Sequence, residues 1–187
     1  MEETGIYYKD GKVIAESGDV KVYQTSYDTF LEIGPAHTLW ALGSEIIDYE
    51  NQLGNTPFGD CLEIGLGLGV ASKFFLTCQK VKTLTTVEIN SDVINAYKYL
   101  SLFNSNKKHI IINSDGLEYV KNTDKKFDFI FLDFYTLIDD ESLSEIRETA
   151  WQCKKILRYG GKICGWFDKY TPSIYINEFN RIFYLKK

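Results

Sequence analysis

The chain has 187 residues, 44% of them hydrophobic and 15% aromatic, which suffices for one packed domain. Its 21 basic and 26 acidic residues leave a net charge of −5, which argues against a nucleic-acid partner, since phosphate neutralisation needs a basic excess or stripe. No run approaches the ~20 apolar residues that span a bilayer, so no membrane partner is expected.

In chain order, the residues from Ile6 to about Ile33 are rich in β-branched and aromatic types, punctuated by Asp10-Gly11 and Gly18-Asp19. Asp-Gly between apolar runs signals a hairpin, because a type I′ turn needs positive φ, so a small antiparallel β segment is expected. A helix is predicted after Pro35, from about Ala36 to Gln52, with Leu39, Leu42, Ile46 and Tyr49 at helical spacing. Asn55-Thr56-Pro57 marks a loop. The chain therefore divides into an N-terminal β segment with its helix (1–56) and an α/β domain (57–187), packed as one unit.

From Asp60 strands and helices alternate. Cys61 to Ile64 reads as a strand entering a glycine-rich turn, with a helix from about Val70 to Gln79. Thr83 to Ile89 is the second strand, after which Asn90 or Ser91 caps a helix carrying Val93, Ala96, Tyr97 and Leu100 on one face. His109 to Ile112 is the third strand, Gly116 to about Lys121 a short helix, and Phe127 to Leu132 a very apolar fourth strand. Ser142 is expected to cap a long helix bearing Leu143, Ile146, Ala150, Cys153 and Leu157, and Gly160-Gly161 to stop it. Lys162 to Phe167 is the fifth strand, and Arg181 to Leu185 could add one more. Strands separated by helices imply an α/β fold, a doubly wound, mostly parallel Rossmann-like sheet. Its ligand crevice lies at the carboxyl ends of the strands.

The chemistry-bearing residues fall at those ends. Glu63-Ile64-Gly65-Leu66-Gly67-Leu68-Gly69 has the form E-x-G-x-G-x-G. Glycines let the backbone turn tightly and approach a ligand without a Cβ between them. Counted from Gly65, a dinucleotide loop G-x-G-x-x-G would need glycine where Val70 stands, so that fingerprint fails. The form suits a nucleoside with an amino acid tail, and Glu63 beside it suits a cationic amine rather than a pyrophosphate. Glu88 ends the second strand nineteen positions after Gly69, where it could accept both ribose hydroxyls. Asp115, before Gly116, could accept from an adenine amino group or simply cap the next helix. Asp133 ends the fourth strand beside the crevice.

Over roughly Asp60 to Phe167 these residues resemble the class I methyltransferase family that binds S-adenosyl-L-methionine (SAM), and within it the spermidine synthase branch. The likeness is carried by Val87-Glu88-Ile89-Asn90, by Ser114-Asp115-Gly116-Leu117-Glu118-Tyr119 and by Phe127-Asp128-Phe129-Ile130-Phe131-Leu132-Asp133. The N-terminal β segment with Lys9-Asp10-Gly11 is similar to the small extension that precedes the nucleotide fold in that branch. The resemblance implies SAM or S-adenosylhomocysteine as the bound cofactor. It implies that Gly65, Gly67 and Gly69 line its amino acid and ribose, that Glu88 with Ile89 holds the ribose, and that Asp115 with Gly116 borders the adenine. Asp133 would then face the reacting centre. Two departures stand out. Aminopropyl-transferring members carry G-G-G-D-G-G, with an aspartate where Leu68 stands here, and D-x-x-D-P where this chain has Asp133-Phe134-Tyr135-Thr136-Leu137. The [DNS]-P-P-[YFW] ending of many amino-methylating nucleic-acid enzymes is also absent.

The expected activity is therefore methyl transfer from SAM to a small molecule, with Asp133 as proton acceptor. The rival readings are a spermidine synthase-like aminopropyltransferase and a SAM-binding protein without catalysis. Tyr135 and Trp166, near the ends of the fourth and fifth strands, could wall the substrate pocket. His109 begins a strand and is read as structural, and His37 as a helix-end or surface residue. Cys61, Cys78, Cys153 and Cys164 stand far apart with no C-x-x-C pair, so free thiols and no metal are expected. With no apolar leader after Met1-Glu2-Glu3, a cytoplasmic location is expected. The expected partner is a small-molecule substrate, neither nucleic acid nor membrane, with homodimerisation left open.

Overall fold

A computed structural model describes residues 8–35, 38–54, 56–100, 108–167 and 170–184. The N-terminal segment is a four-stranded antiparallel sheet of β1 (Lys12–Ser17), β2 (Val20–Gln24), β3 (Thr29–Ile33) and β4 (Thr38–Leu42), in that spatial order. Gly18-Asp19 makes the tight turn between the first two strands, with Gly18 at φ 52°. Asp10-Gly11 does not form the expected hairpin. Asp10 ends a 3-10 turn (Tyr8–Asp10) that leads straight into β1.

The helix expected from Ala36 to Gln52 is shorter, and its first half is a strand. Thr38–Leu42 pairs with β3, and α1 covers only Ile46–Leu53, after a 3-10 turn over Gly43–Glu45. Ala36 and His37 lie outside the described residues. The β3–β4 register shifts between Leu31 and Glu32. Such an irregularity breaks strict alternation and lets a strand imitate helical spacing over a few residues.

The second sheet is five-stranded and wholly parallel: β5 (Gly59–Ile64), β6 (Val81–Glu88), β7 (His109–Asn113), β8 (Phe127–Leu132) and β9 (Leu157–Gly165), in the order β7-β6-β5-β8-β9. Between them run α2 (Val70–Thr77), α3 (Ser91–Tyr99), α4 (Gly116–Asn122) and α5 (Asp140–Ile156), and α6 (Ser173–Tyr184) follows. The order reverses between β5 and β8, which is where a doubly wound sheet opens its crevice.

Strand periodicity sorts the core into two faces. Cys61, Phe129 and Phe131 pack with Tyr49 and Leu53 of α1 and Phe74 and Phe75 of α2. Leu62, Ile64, Ile130 and Leu132 pack with Val120 of α4, Ile146 and Ala150 of α5, and Phe179 and Ile182 of α6. The antiparallel sheet joins this body through a third cluster. Ala15, Val20, Val22, Leu31 and Ala41 meet Leu66 and Leu68 of the glycine loop and Val93, Ile94 and Tyr97 of α3. The N-terminal sheet therefore rests on the loop itself.

Three further expectations change. Asp139, not Ser142, caps α5: its side chain accepts from Ser142 N, while the Ser142 hydroxyl accepts from Asp139 N, a reciprocal capping box. Gly160-Gly161 do not end the helix. α5 passes directly into β9, and the glycines sit inside that strand where its register against β8 shifts. The stretch near Arg181 belongs to α6 rather than to a strand, with Phe179 and Ile182 buried one helical turn apart. Leu185 lies outside the described residues.

Gly69 stands at φ 73° where the loop enters α2, and a Cβ there would lie 2.0 Å from Cε2 of Tyr97. Both the left-handed backbone and the close aromatic ring oppose any side chain. Gly69→Ala is expected to lower stability by about 2–4 kcal/mol. A fall in the urea midpoint at unchanged slope would show it.

Candidate functional site

The carboxyl ends of the parallel strands are held together by backbone bonds that continue the sheet into its loops. Gly65 N donates to Val87 O at 2.9 Å, Asp133 N to Ile64 O at 2.8 Å, Ser114 N to Glu88 O at 3.1 Å and Trp166 N to Leu132 O at 3.1 Å. A Cβ on Gly65 would lie 2.1 Å from the Asp133 carbonyl oxygen, so only glycine lets these two loops meet. They frame a cavity of about 890 Å³. Its other wall is the N-terminal sheet and α1, through Leu31, Leu39, Trp40, Ala41, Glu45, Asp48 and Tyr49.

Nine of the expected site residues reach this cavity: Gly65, Gly67, Glu88, Ile89, Asp115, Gly116, Asp133, Tyr135 and Trp166. The buried Glu88 carboxylate accepts from Leu66 N through Oε2 at 2.9 Å and from Asn90 N through Oε1 at 2.8 Å. It therefore steers the glycine loop, with the amides of Ile89 and Gly67 also directed at the same carboxylate. Asp115 caps α4, accepting from Glu118 N at 2.8 Å, so its capping and cavity positions coexist. Gly116 is glycine because a Cβ would lie 2.3 Å from Cγ2 of Ile64. The Tyr135 hydroxyl donates to Trp166 O at 2.7 Å and so ties the loop after β8 to the loop after β9.

Two expected residues point elsewhere. Glu63 is fully buried on the opposite side of β5 and does not face the cavity. Its Oε2 accepts from Ser72 Oγ and from Thr86 Oγ1, and Thr86 Oγ1 lies 2.8 Å from Nε2 of His109. Glu63 is one residue out of step with Ile64 in a strand of period two, which sends its side chain beneath α2. Burial pushes its carboxyl up to about 7 against those two hydrogen bonds, and pushes the His109 imidazole down to about 4. Gly69 serves the packing against Tyr97 rather than the cavity wall.

Three residues that the sequence reading left out complete the site. Tyr49 belongs to a helical stripe in the sequence, and its hydroxyl donates to Asp133 Oδ2 at 2.7 Å. Glu45 and Asp48 line the same corner. The available signal was Glu45, Asp48 and Tyr49 at i, i+3 and i+4, which share one helix face and set two like charges side by side. α1 is held in place by Gln52, whose side-chain amide donates to Phe167 O at 2.5 Å.

The cavity wall carries seven carboxylates, Glu45, Asp48, Glu88, Asp115, Asp133, Glu145 and Glu148, and among the described residues no Lys, Arg or His. Glu148, at the rim, pairs with Lys121 outside it at 3.6 Å. Burial drives the Asp133 carboxyl up to about 8, the Tyr49 hydrogen bond opposing it and the charges of Glu63 and Glu88 reinforcing it. Glu45 also rises to about 8, first from burial and then from the charge of Asp133. Glu88 is raised by burial against its amide hydrogen bonds.

In the unfolded chain such carboxyls lose their protons near about pH 4, whereas the folded chain keeps them on Asp133 and Glu45 up to about 8. Between those values the folded state binds the extra protons, so the contribution of these groups to stability falls as pH rises through the window. Asp133→Asn removes one of them. The variant is expected to gain thermal stability relative to the parent at about pH 8 but not at about pH 4. Parallel melting curves across that range would contradict the burial of this carboxyl.

The model of the spermine/spermidine synthase domain family matches residues 60–169, more than half of the chain. Spermidine synthase from Thermotoga maritima superposes with a TM-score of 0.69 at 19% identity, covering 91% of this chain and 62% of its own. A spermidine synthase in complex with the transition-state analogue AdoDATO gives 0.67 at 18% identity, with 91% and 61% covered. At such identities the likeness is one of fold, and the chain spans about three-fifths of the length of these structures. No curated protein matches it significantly in sequence. Among the described residues no helix is long and apolar enough to cross a membrane. With an all-parallel sheet, a glycine loop and an N-terminal antiparallel sheet closing the crevice, the chain belongs to the spermine/spermidine synthase domain family, a branch of the class I SAM-dependent methyltransferase superfamily.

Proposed function

We propose that this chain is a transferase that moves an aminopropyl group from decarboxylated SAM to an amine. The observation that carries the reading is the acidity of the cavity: seven acidic side chains and, among the described residues, no basic side chain on its wall. SAM itself carries an α-carboxylate, and taking that anion into a low-dielectric crevice lined by acids is unfavourable without a paired cation. The decarboxylated donor carries only positive groups, a sulfonium and an ammonium, and an amine acceptor adds another. All three are complementary to this wall.

In this reading the Glu88 carboxylate accepts the ribose hydroxyls, and Ile89 and Leu117 flank the base with Asp115 at its edge. Gly65 and Gly67 leave room along the backbone for the rest of the nucleoside. The donor supplies an alkyl carbon already activated by positively charged sulfur; when its C–S bond breaks, the electron pair stays on sulfur as a neutral thioether. Asp133 takes the proton that the acceptor ammonium must lose before its nitrogen lone pair can form the new C–N bond, a role typically worth about 10²–10⁴-fold in rate. Glu45 and Asp48 hold the acceptor's positive charge nearby, and the walls supply alignment.

One observation favours methyl transfer from SAM as a second reading. Leu68 stands where aminopropyl-transferring relatives carry an aspartate, and it is buried against the N-terminal sheet rather than replaced by another acid in the loop.

Paired ligands separate the two. A ligand that binds only the folded state raises the melting temperature through RT ln(1 + [L]/Kd). The expected order is 5′-methylthioadenosine and decarboxylated SAM above S-adenosylhomocysteine and SAM, with turnover of the decarboxylated donor when a diamine is added. The reverse order, with methylation from SAM, would overturn the aminopropyl reading. SAM binding without transfer to any amine would favour a binding protein. Glu88→Ala should weaken the preferred nucleoside by about 1–3 kcal/mol, because two hydroxyls and two backbone amides lose their acceptor.

A further inference from the structure

We propose that Trp40 selects the acceptor: its indole seats an apolar body, so the amine this cavity takes is amphiphilic, with a long hydrocarbon or aromatic segment beside its ammonium. The inference deepens the reading of the cavity as the site of an amine transferase and rests on it.

The argument begins with the backbone of β4. Ala41 pairs with Leu31 and Leu39 pairs with Glu32, so Trp40 between them has no partner in the ladder. It is the extra residue of a β-bulge, a device that re-aims a side chain and is common at sheet edges and beside active sites. β4 is such an edge strand. Regular alternation would send Trp40 to the face opposite its two neighbours, yet Leu39, Trp40 and Ala41 all line the cavity. The indole is 45% exposed there, a broad apolar ring held open to whatever enters.

Position decides which of the two substrates meets it. The base end of the cavity lies past β6 and β7, with Ile89 and Asp115. Val20 and Val22 of β2 pack on α3, which follows β6, whereas β4 forms the opposite edge of the N-terminal sheet. β4 crosses the glycine loop at Ala41, whose Cβ would lie 3.4 Å from a Cβ on Gly67. The chain then runs straight into Glu45 and Asp48. Trp40 therefore stands at the acceptor end. Glu45, Asp48 and Asp133 gather at one corner and suit one ammonium. Neutral side chains follow: Thr136 lines the cavity beyond Tyr135, and Leu68 is buried under the N-terminal sheet. Leu31, Ile33, Leu39 and Trp40 offer an apolar wall instead. The cavity of about 890 Å³ lies near the top of the roughly 300–1,000 Å³ range of small-molecule sites, which leaves an acceptor more room than four carbons need.

The test measures KM and kcat for three amines, 1,4-diaminobutane, 1,8-diaminooctane and 1,4-bis(aminomethyl)benzene, with whichever of decarboxylated SAM and SAM the whole chain consumes. Burying a methylene strengthens binding by about three- to fourfold, so the two larger amines are expected to show KM values about ten- to a hundredfold lower, at similar kcat. Trp40→Ala should remove about tenfold of that advantage by raising the KM of the larger amines more than that of 1,4-diaminobutane. Trp40→Phe keeps a ring and should restore most of it. A preference for 1,4-diaminobutane, or an advantage that survives Trp40→Ala, overturns the proposal. Calorimetry of the same amines on protein saturated with 5′-methylthioadenosine separates this failure from that of the reaction. If nothing is transferred but the affinities keep the order and lose it in Trp40→Ala, the Trp40 seat stands and the transferase reading falls. Equal affinities in the parent protein remove the seat, whatever the activity.

Discussion

The site depends on one close approach, in which the carbonyl oxygen of Asp133 occupies the space that a side chain on Gly65 would need. Because that Cβ is missing, the turn after β5 and the turn after β8 can touch, and the backbone bonds from Gly65 to Val87 and from Asp133 to Ile64 can form together. These bonds align three strand ends, and with them Glu88 and Asp133 on either side of the glycine loop. A larger residue at position 65 would separate the loops and loosen both carboxylates at once.

The N-terminal sheet has a second task beyond covering the crevice. Leu66 and Leu68 alternate with the glycines of the loop and bury themselves under Val20, Val22, Leu31 and Ala41. The loop is held from below by Glu88, which accepts from Leu66 N, and from above by an apolar cluster. This gives the departure at Leu68 a physical account: in this chain the position is a packing residue between two sheets. The carboxylates near Asp133 come instead from α1 and the 3-10 turn before it, which the same N-terminal segment delivers.

Collecting so many acids around one cavity works against folding. Glu45 and Asp133 pay for it by retaining protons up to about 8, and Glu63, beneath the loop, up to about 7 with one oxygen lacking a hydrogen-bond partner. Binding a cation would relieve what the empty protein relieves with protons, since an opposite charge nearby favours the ionised carboxylate. Ionic structure elsewhere is conventional by comparison. At the far end of the sheet Arg158 meets Asp60 and Asp128 at 2.8 and 2.7 Å and joins the starts of β5, β8 and β9.

Local pattern alone carried the parallel sheet and much of the cavity. The alternation of apolar strands with helices, the glycine spacing from Gly65 to Gly69, and acids at Glu88, Asp115 and Asp133 are all properties of short windows, where strand period and turn chemistry act directly. Readings failed where a choice depended on a distant partner. Thr38–Leu42 is a strand because β3 offers it backbone hydrogen bonds, and residues 181–184 are helical because Phe179 and Ile182 find a slot against α5 and the sheet. Glu63 faces away from the ligand crevice because Ser72 and Thr86 wait behind it. Tyr49 and Glu45 could not be placed on the cavity from their own neighbours, since what brings Tyr49 there is a carboxylate 84 positions further on. Periodicity is written along the chain, but proximity between the first helix and the end of the fourth parallel-sheet strand exists only once the two sheets have packed.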